Sequence, residues 1–283
     1  MLAGMAHPLD GIRFKIDRAK KQIYEFNREI VSGAINVSGK DLRATYEFTA
    51  NTTTAVPVSD LIFSIQGDAP PVPFIFSILA AECCHHLRSA LDHLVYQLVI
   101  EQTKKPPTFN SAFPIVGKGK KVKKAWRNPV QEYEAQTSRL VQDLSPNAAG
   151  LIEHFQPLKR GATYHEDPLW ILNELNNTDK HRIILLAVHK VSTYSITVTS
   201  RGKAVTARFS PGIRYERGAE IGRMPFHDPP FDNAQVSAEG DLVLEIAFND
   251  VCGQGQVSVI PLLTQLAGYV SGVVETFATE FKG

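Results

Sequence analysis

The chain has 283 residues, 43% of them apolar and 21% charged, the composition of an ordinary globular protein with enough length for a sizeable core. Thirty Lys and Arg against 29 Asp and Glu leave a net charge of +1. That balance excludes capture of an anionic partner by global charge, so any such partner has to be held by a local patch.

Residues 8–33 read as a polar amphipathic helix, with Pro8 early, Ile12, Ile16, Ile23, Phe26 and Ile30 as its apolar stripe, and Gly33 as its end. Leu42–Ala50 and Leu61–Gln66 alternate like strands around a Thr-rich turn containing Pro57. The Pro-rich stretch 69–73 starts a long helix over 74–101, and Lys105-Pro106-Pro107 ends it. A loop with Phe113-Pro114-Ile115 and a basic run follows, then helices near 129–144 and 146–155. Glu166-Asp167-Pro168 opens a helical stretch from Leu169 to His189, with Asn176-Asn177-Thr178-Asp179 placed for a break or kink. Thr193–Ser200, Ala204–Phe209 and Leu242–Phe248 are β-type, with turns at Pro211-Gly212 and Pro229-Pro230. Residues 256–282 close the chain as a helix carrying Ile260, Leu263, Leu266, Val270, Val273 and Phe277 on one side. The expected fold is α+β in one compact domain, 1–283. A helical bundle (8–33, 74–190, 256–282) forms its core, with two small antiparallel sheets from β-rich parts 41–66 and 191–250.

The stretch Glu82-Cys83-Cys84-His85-His86-Leu87-Arg88-Ser89-Ala90-Leu91-Asp92-His93 concentrates titratable groups inside an apolar helix. At 100° per residue, Leu87, Leu91, Leu94 and Leu98 form a dry stripe. Glu82, His86, Ser89, His93 and Gln97 form a polar one, and Arg88–Asp92 is an i,i+4 pair on a third side. Arg88 and His93 project about 140° apart, so a site using both needs a facing helix or a second copy.

Arg88-Ser89-Ala90-Leu91-Asp92-His93 resembles the motif of HEPN-domain proteins, an arginine followed four to six residues later by a histidine. Across most of its length the chain is similar to a set of uncharacterised bacterial proteins. It shares with them Pro8-Leu9-Asp10-Gly11, Arg18-Ala19, Leu87-Arg88-Ser89-Ala90-Leu91-Asp92-His93, Phe113-Pro114-Ile115 and Asp179-Lys180-His181-Arg182. The HEPN resemblance implies a metal-independent, dimeric endoribonuclease, toxin or defence related, without a cofactor. His93 would act as general acid or base, and Arg88 would stabilise charge on the phosphoryl oxygens. Ser89, His86, Asp92, Asp179, Lys180 and His181 would be auxiliary. Ser89 stands where HEPN proteins often carry Asn, Asp or His, and the motif lies mid-helix.

Two rival readings come from the residues themselves. The first is a non-catalytic binding or interaction protein whose polar stripes are a structural network. That network would include the Asn173, Asn177, His181 ladder at i, i+4 and i+8. The second is a metal-dependent bundle enzyme drawing on His85, His86, His93, His181, Glu82, Asp92 and Asp179. It has no HExxH or CxxC spacing, and His86 and His93 lie about 10 Å apart along a helix. Lys118, Lys120, Lys121, Lys123, Lys124 and Arg127 surround Trp126, a composition suited to a phosphate backbone and a stacked base, so RNA is the expected partner. Adjacent Cys83 and Cys84, with Cys252 distant, fit a reducing cytoplasm. Early charges at the N-terminus argue against a secretory signal, and Gln265 and Glu275 weaken the apolar run 257–274 as a membrane span.

Overall fold

The computed structural model describes residues 7–32, 42–49, 58–108, 111–123, 125–200, 203–209, 212–226, 238–239 and 242–281. In chain order the elements are α1 (Asp10–Val31), β1 (Leu42–Thr49), β2 (Val58–Ile65), α2 (Phe74–Thr103), β3 (Lys120–Val122), β4 (Ala125–Arg127), α3 (Pro129–Thr137), α4 (Pro146–His154) and α5 (Pro168–His181). There follow β5 (Leu186–Ser200), β6 (Lys203–Phe209), β7 (Ile213–Arg214), β8 (Glu220–Phe226), β9 (Ala238–Glu239), β10 (Leu242–Phe248) and α6 (Val259–Thr276). The fold class is α+β. The turns expected at Pro229-Pro230 and between the first two strands lie outside the described residues, as does Gly33.

The chain divides into two compact units: Met1–Glu25, Ile75–Leu185 and Asp250–Gly283 form one, and Phe26–Phe74 with Leu186–Asn249 form the other. The first unit is helical. Three of its helices start with one device, a polar cap followed by proline at the first helical position. Asn128 accepts from the Gln131 backbone in a capping box, Ser145 from Ala148 N, and Asp167 from Leu169 N. Each cap satisfies an otherwise orphaned donor and is worth about 1 kcal/mol. The α2 stripe Leu87, Leu91, Leu94 and Leu98 is buried, and so are Cys83, Cys84, Ala90 and Val95. Most sides of α2 are therefore covered. Two hydrogen bonds from Arg13 to the Glu275 carboxylate, at 2.8 and 2.7 Å, tie α1 to α6. Among the described residues only Val259–Glu280 is long and apolar enough to cross a membrane. Its Leu263, Leu266, Val270, Val273 and Phe277 are buried in this unit.

The second unit carries two antiparallel sheets. One runs β1-β2-β8, with Leu42 opposite Ile65 and Leu61 opposite Met224. In the other, β5 lies between β10 and β6 and also pairs with the short strands β7 and β9. Strand β8 has no counterpart in the sequence reading. Its Gly222 and Pro225 argue against a strand interior, and it is tolerated because it is the edge of its sheet. A third sheet, the ribbon β3–β4, occupies the basic run that reads as a loop in sequence.

One boundary moves. The helix opening at Pro168 neither breaks at 176–179 nor continues to His189. It ends at His181, Arg182 is extended, and His189 is a buried member of β5. Val188 and Val191 in β5 are β-branched residues whose side chains suit a pleated strand.

Candidate functional site on helix α2

Arg88 reaches the segment that follows α2. Its Nη2 donates to Phe113 O at 2.6 Å and meets Asp92 Oδ1 at 3.0 Å. Asp92 Oδ1 in turn accepts from Phe113 N at 2.9 Å. One arginine and one carboxylate thus grip both backbone groups of a single residue. The Arg88 side chain is 12% exposed, and burial pulls its pKa down against the opposing pull of Asp92. Its Nη1 is buried without a hydrogen-bond partner.

The grip continues along the segment. Gln156, 1% exposed, accepts from Val116 N at 3.0 Å and donates to Pro114 O at 2.8 Å and Ile152 O at 2.9 Å. Gly117 ends the segment beneath aromatic rings. A Cβ there would lie 2.4 Å from the Tyr164 ring and 2.7 Å from Trp170, so only glycine fits. Gln156 was missed in the sequence, where it is one more polar residue after a helix.

The polar stripe of α2 faces α1. Lys15 Nζ donates to Ser89 Oγ at 2.7 Å and to Ser89 O at 3.4 Å, and the buried Gln22 donates to Glu82. These contacts set α1 and α2 antiparallel. His93 Nε2 lies 3.0 Å from Gln97 Nε2, while its Nδ1 is buried without a partner. Burial, then the charge of Lys15, lowers the His93 pKa. His86 is lowered by burial first, then by His85 and Arg18. Burial pushes the Cys83 thiol up to about 12 and raises Cys84 as well, so neither is a ready nucleophile.

Arg88 and His93 therefore share no partner: Arg88 is engaged with Phe113 and Asp92, His93 with Gln97 and the α1 side. On α5, Lys180, His181 and Arg182 are exposed, as is Asp179, whose charge contributes to the raised Cys84 pKa. The ladder expected from Asn173, Asn177 and His181 is not the inward side, for Asn176 is the buried amide. Among the described residues no three His, Cys, Asp or Glu side chains are grouped to hold a metal ion.

In the ribbon, Lys121 lies opposite Trp126 and Lys120 opposite Arg127. Trp126 is 68% exposed, and Lys120, Lys121 and Lys123 are exposed. A Cβ on Gly119 would lie 2.3 Å from Arg127 O, so this glycine lets the strands close. Lys123 takes the turn with φ 55°. Arg127 is 3.5 Å from Glu132, and Lys118 Nζ stands 5.5 Å above the Trp170 ring. Lys124 lies outside the described residues.

No family model, curated protein or solved structure matches the chain.

Proposed function

We propose that the protein is a non-catalytic nucleic-acid-binding protein that contacts single-stranded RNA through the β3–β4 ribbon. The observation that carries this reading is a tryptophan, 68% exposed, paired across the ribbon with an exposed lysine. The two lie in a stretch, residues 102–131, with eight Lys and Arg and no Asp or Glu. A stacked base and an adjacent phosphate need that pair of groups. The engagement of Arg88 with Phe113 and Asp92 supports a structural role for the α2 motif. We place the protein in the cytoplasm, which its free thiols support.

Titration of a fluorescent single-stranded RNA tests the reading. Stacking is worth about 1–3 kcal/mol per base, so Trp126→Ala weakens binding by about fivefold or more. Equal binding by wild type and Trp126→Ala overturns the ribbon assignment. RNA cleavage that survives chelator, and is lost in folded Arg88→Ala and His93→Ala variants, replaces binding with the ribonuclease reading.

A further inference from the structure

The seam between α1 and α2 gathers two basic side chains, Lys15 and Arg18, beside a single carboxylate, Glu82. Lys15 bonds only to the hydroxyl and carbonyl of Ser89, and among the described residues neither Lys15 nor Arg18 has an ion pair. Of the carboxylates around the seam, Asp92 is held by Arg88 and Phe113 N, and Asp10 by Arg13 and His7 N; Glu82 accepts from the neutral amide of Gln22 and keeps its charge at the His86 end, away from Lys15.

The antiparallel register of the Lys15–Ser89 and Gln22–Glu82 contacts places the groups in order. Arg18 falls at the level of His86, Lys15 at Ser89, and Gly11 at His93. Gly11 brings no side chain to that level. His93 Nδ1 is buried and unpartnered. Burial is the main cause of the lowered pKa of both imidazoles; Lys15 adds to it at His93, and at His86 the charges of His85, Arg18 and Lys15 add to it while Glu82 opposes them.

We propose that this seam is a binding site for a phosphate group, held by the Lys15 ammonium, the Ser89 hydroxyl and the His93 ring, with Arg18 and His86 one turn along adding attraction for a dianion. The ammonium and hydroxyl supply donors at one level of the helix pair. The His93 ring, one turn up α2, supplies a third by taking a proton on its free nitrogen. The anion would supply the counter-charge that Lys15 lacks. The ligand class is a phosphorylated small molecule; a phosphodiester would offer the same oxygens with one charge fewer. This site is separate from the ribbon and does not depend on RNA binding.

The test is imidazole NMR of the full chain during titration with inorganic phosphate, a nucleoside monophosphate and a dinucleoside phosphodiester, each against chloride at equal ionic strength. The expected result is a saturable shift of His93 and a higher His93 titration midpoint with phosphate. Lys15→Met weakens binding by about tenfold, and Lys20→Met leaves it unchanged. Stronger binding of the monophosphate than of the phosphodiester assigns the site to phosphomonoesters, and the reverse order assigns it to a nucleic-acid backbone. A shift that follows ionic strength alone, or survives Lys15→Met unchanged in a folded protein, overturns the proposal. Trp126→Ala, which disables the ribbon, leaves the His93 response intact, so the two readings fail separately.

Discussion

At the scale of single residues, Arg88, Asp92 and Gln156 replace a β-partner for the segment 113–117. A buried extended segment must have its N–H and C=O groups satisfied. Here Phe113 N and O, Pro114 O and Val116 N all find side chains, and Val116 O accepts from Leu158 N. Removing Arg88 leaves Phe113 O unsatisfied and Asp92 without its cation. Hydrogen bonds to charged groups and unpaired buried acceptors each cost about 1–3 kcal/mol. Arg88→Met is therefore expected to lower unfolding free energy by about 3 kcal/mol in urea titration, and Gln156→Leu by a similar amount. Arg88→Lys retains charge without the planar fork and falls between wild type and Arg88→Met. Wild-type stability in Arg88→Met would show that the guanidinium is free for other work.

At the scale of elements, the helices were the most readable. Ile12, Ile16, Ile23, Phe26 and Ile30 recur at helical spacing and are all buried, and the caps before Pro129, Pro146 and Pro168 announce themselves locally. Strand β8 and the ribbon depend on partners distant in sequence or on close backbone approach, and lysines and proline give no local β signal. The α2 stripes were readable as geometry, but their partners were not. That Arg88 would grip Phe113 while Lys15 would reach Ser89 depends on tertiary placement. The stripe also sets a pH dependence. His86 and His93 have pKa values lowered by folding, whereas the unfolded chain titrates them near an ordinary value of about 6.5. Below that value the unfolded chain binds more protons, so stability present at neutral pH declines as pH falls toward the folded values. Thermal unfolding between pH 7 and 5 is expected to show this decline, and His93→Gln to flatten it. An unchanged slope in His93→Gln would remove His93 from that account.

At the scale of the whole molecule, the net charge of +1 conceals a separation. Residues 102–131 hold eight basic groups and no acidic ones, so the remaining chain is net acidic. Three of those eight are already engaged, Lys104 with Glu101, Lys118 over Trp170 and Arg127 with Glu132. A partner attracted by global charge would be held weakly and everywhere, whereas this separation concentrates the attraction for an anionic strand on one ribbon. The consequence is a shallow but definite salt dependence. If about four lysines each neutralise one phosphate, the logarithm of the affinity for single-stranded RNA falls with the logarithm of salt at a slope of about −3, since single strands lose about 0.7 per contact. Lys121→Ala and Lys123→Ala should each make the slope shallower by about 0.7, and Trp126→Ala should weaken binding at every salt concentration without changing the slope. Measurement of the four slopes separates the electrostatic contribution from stacking. A slope near zero in the wild type would mean that phosphates are not the groups recognised, and the basic stretch would then be a solvated ribbon whose charge serves no strand.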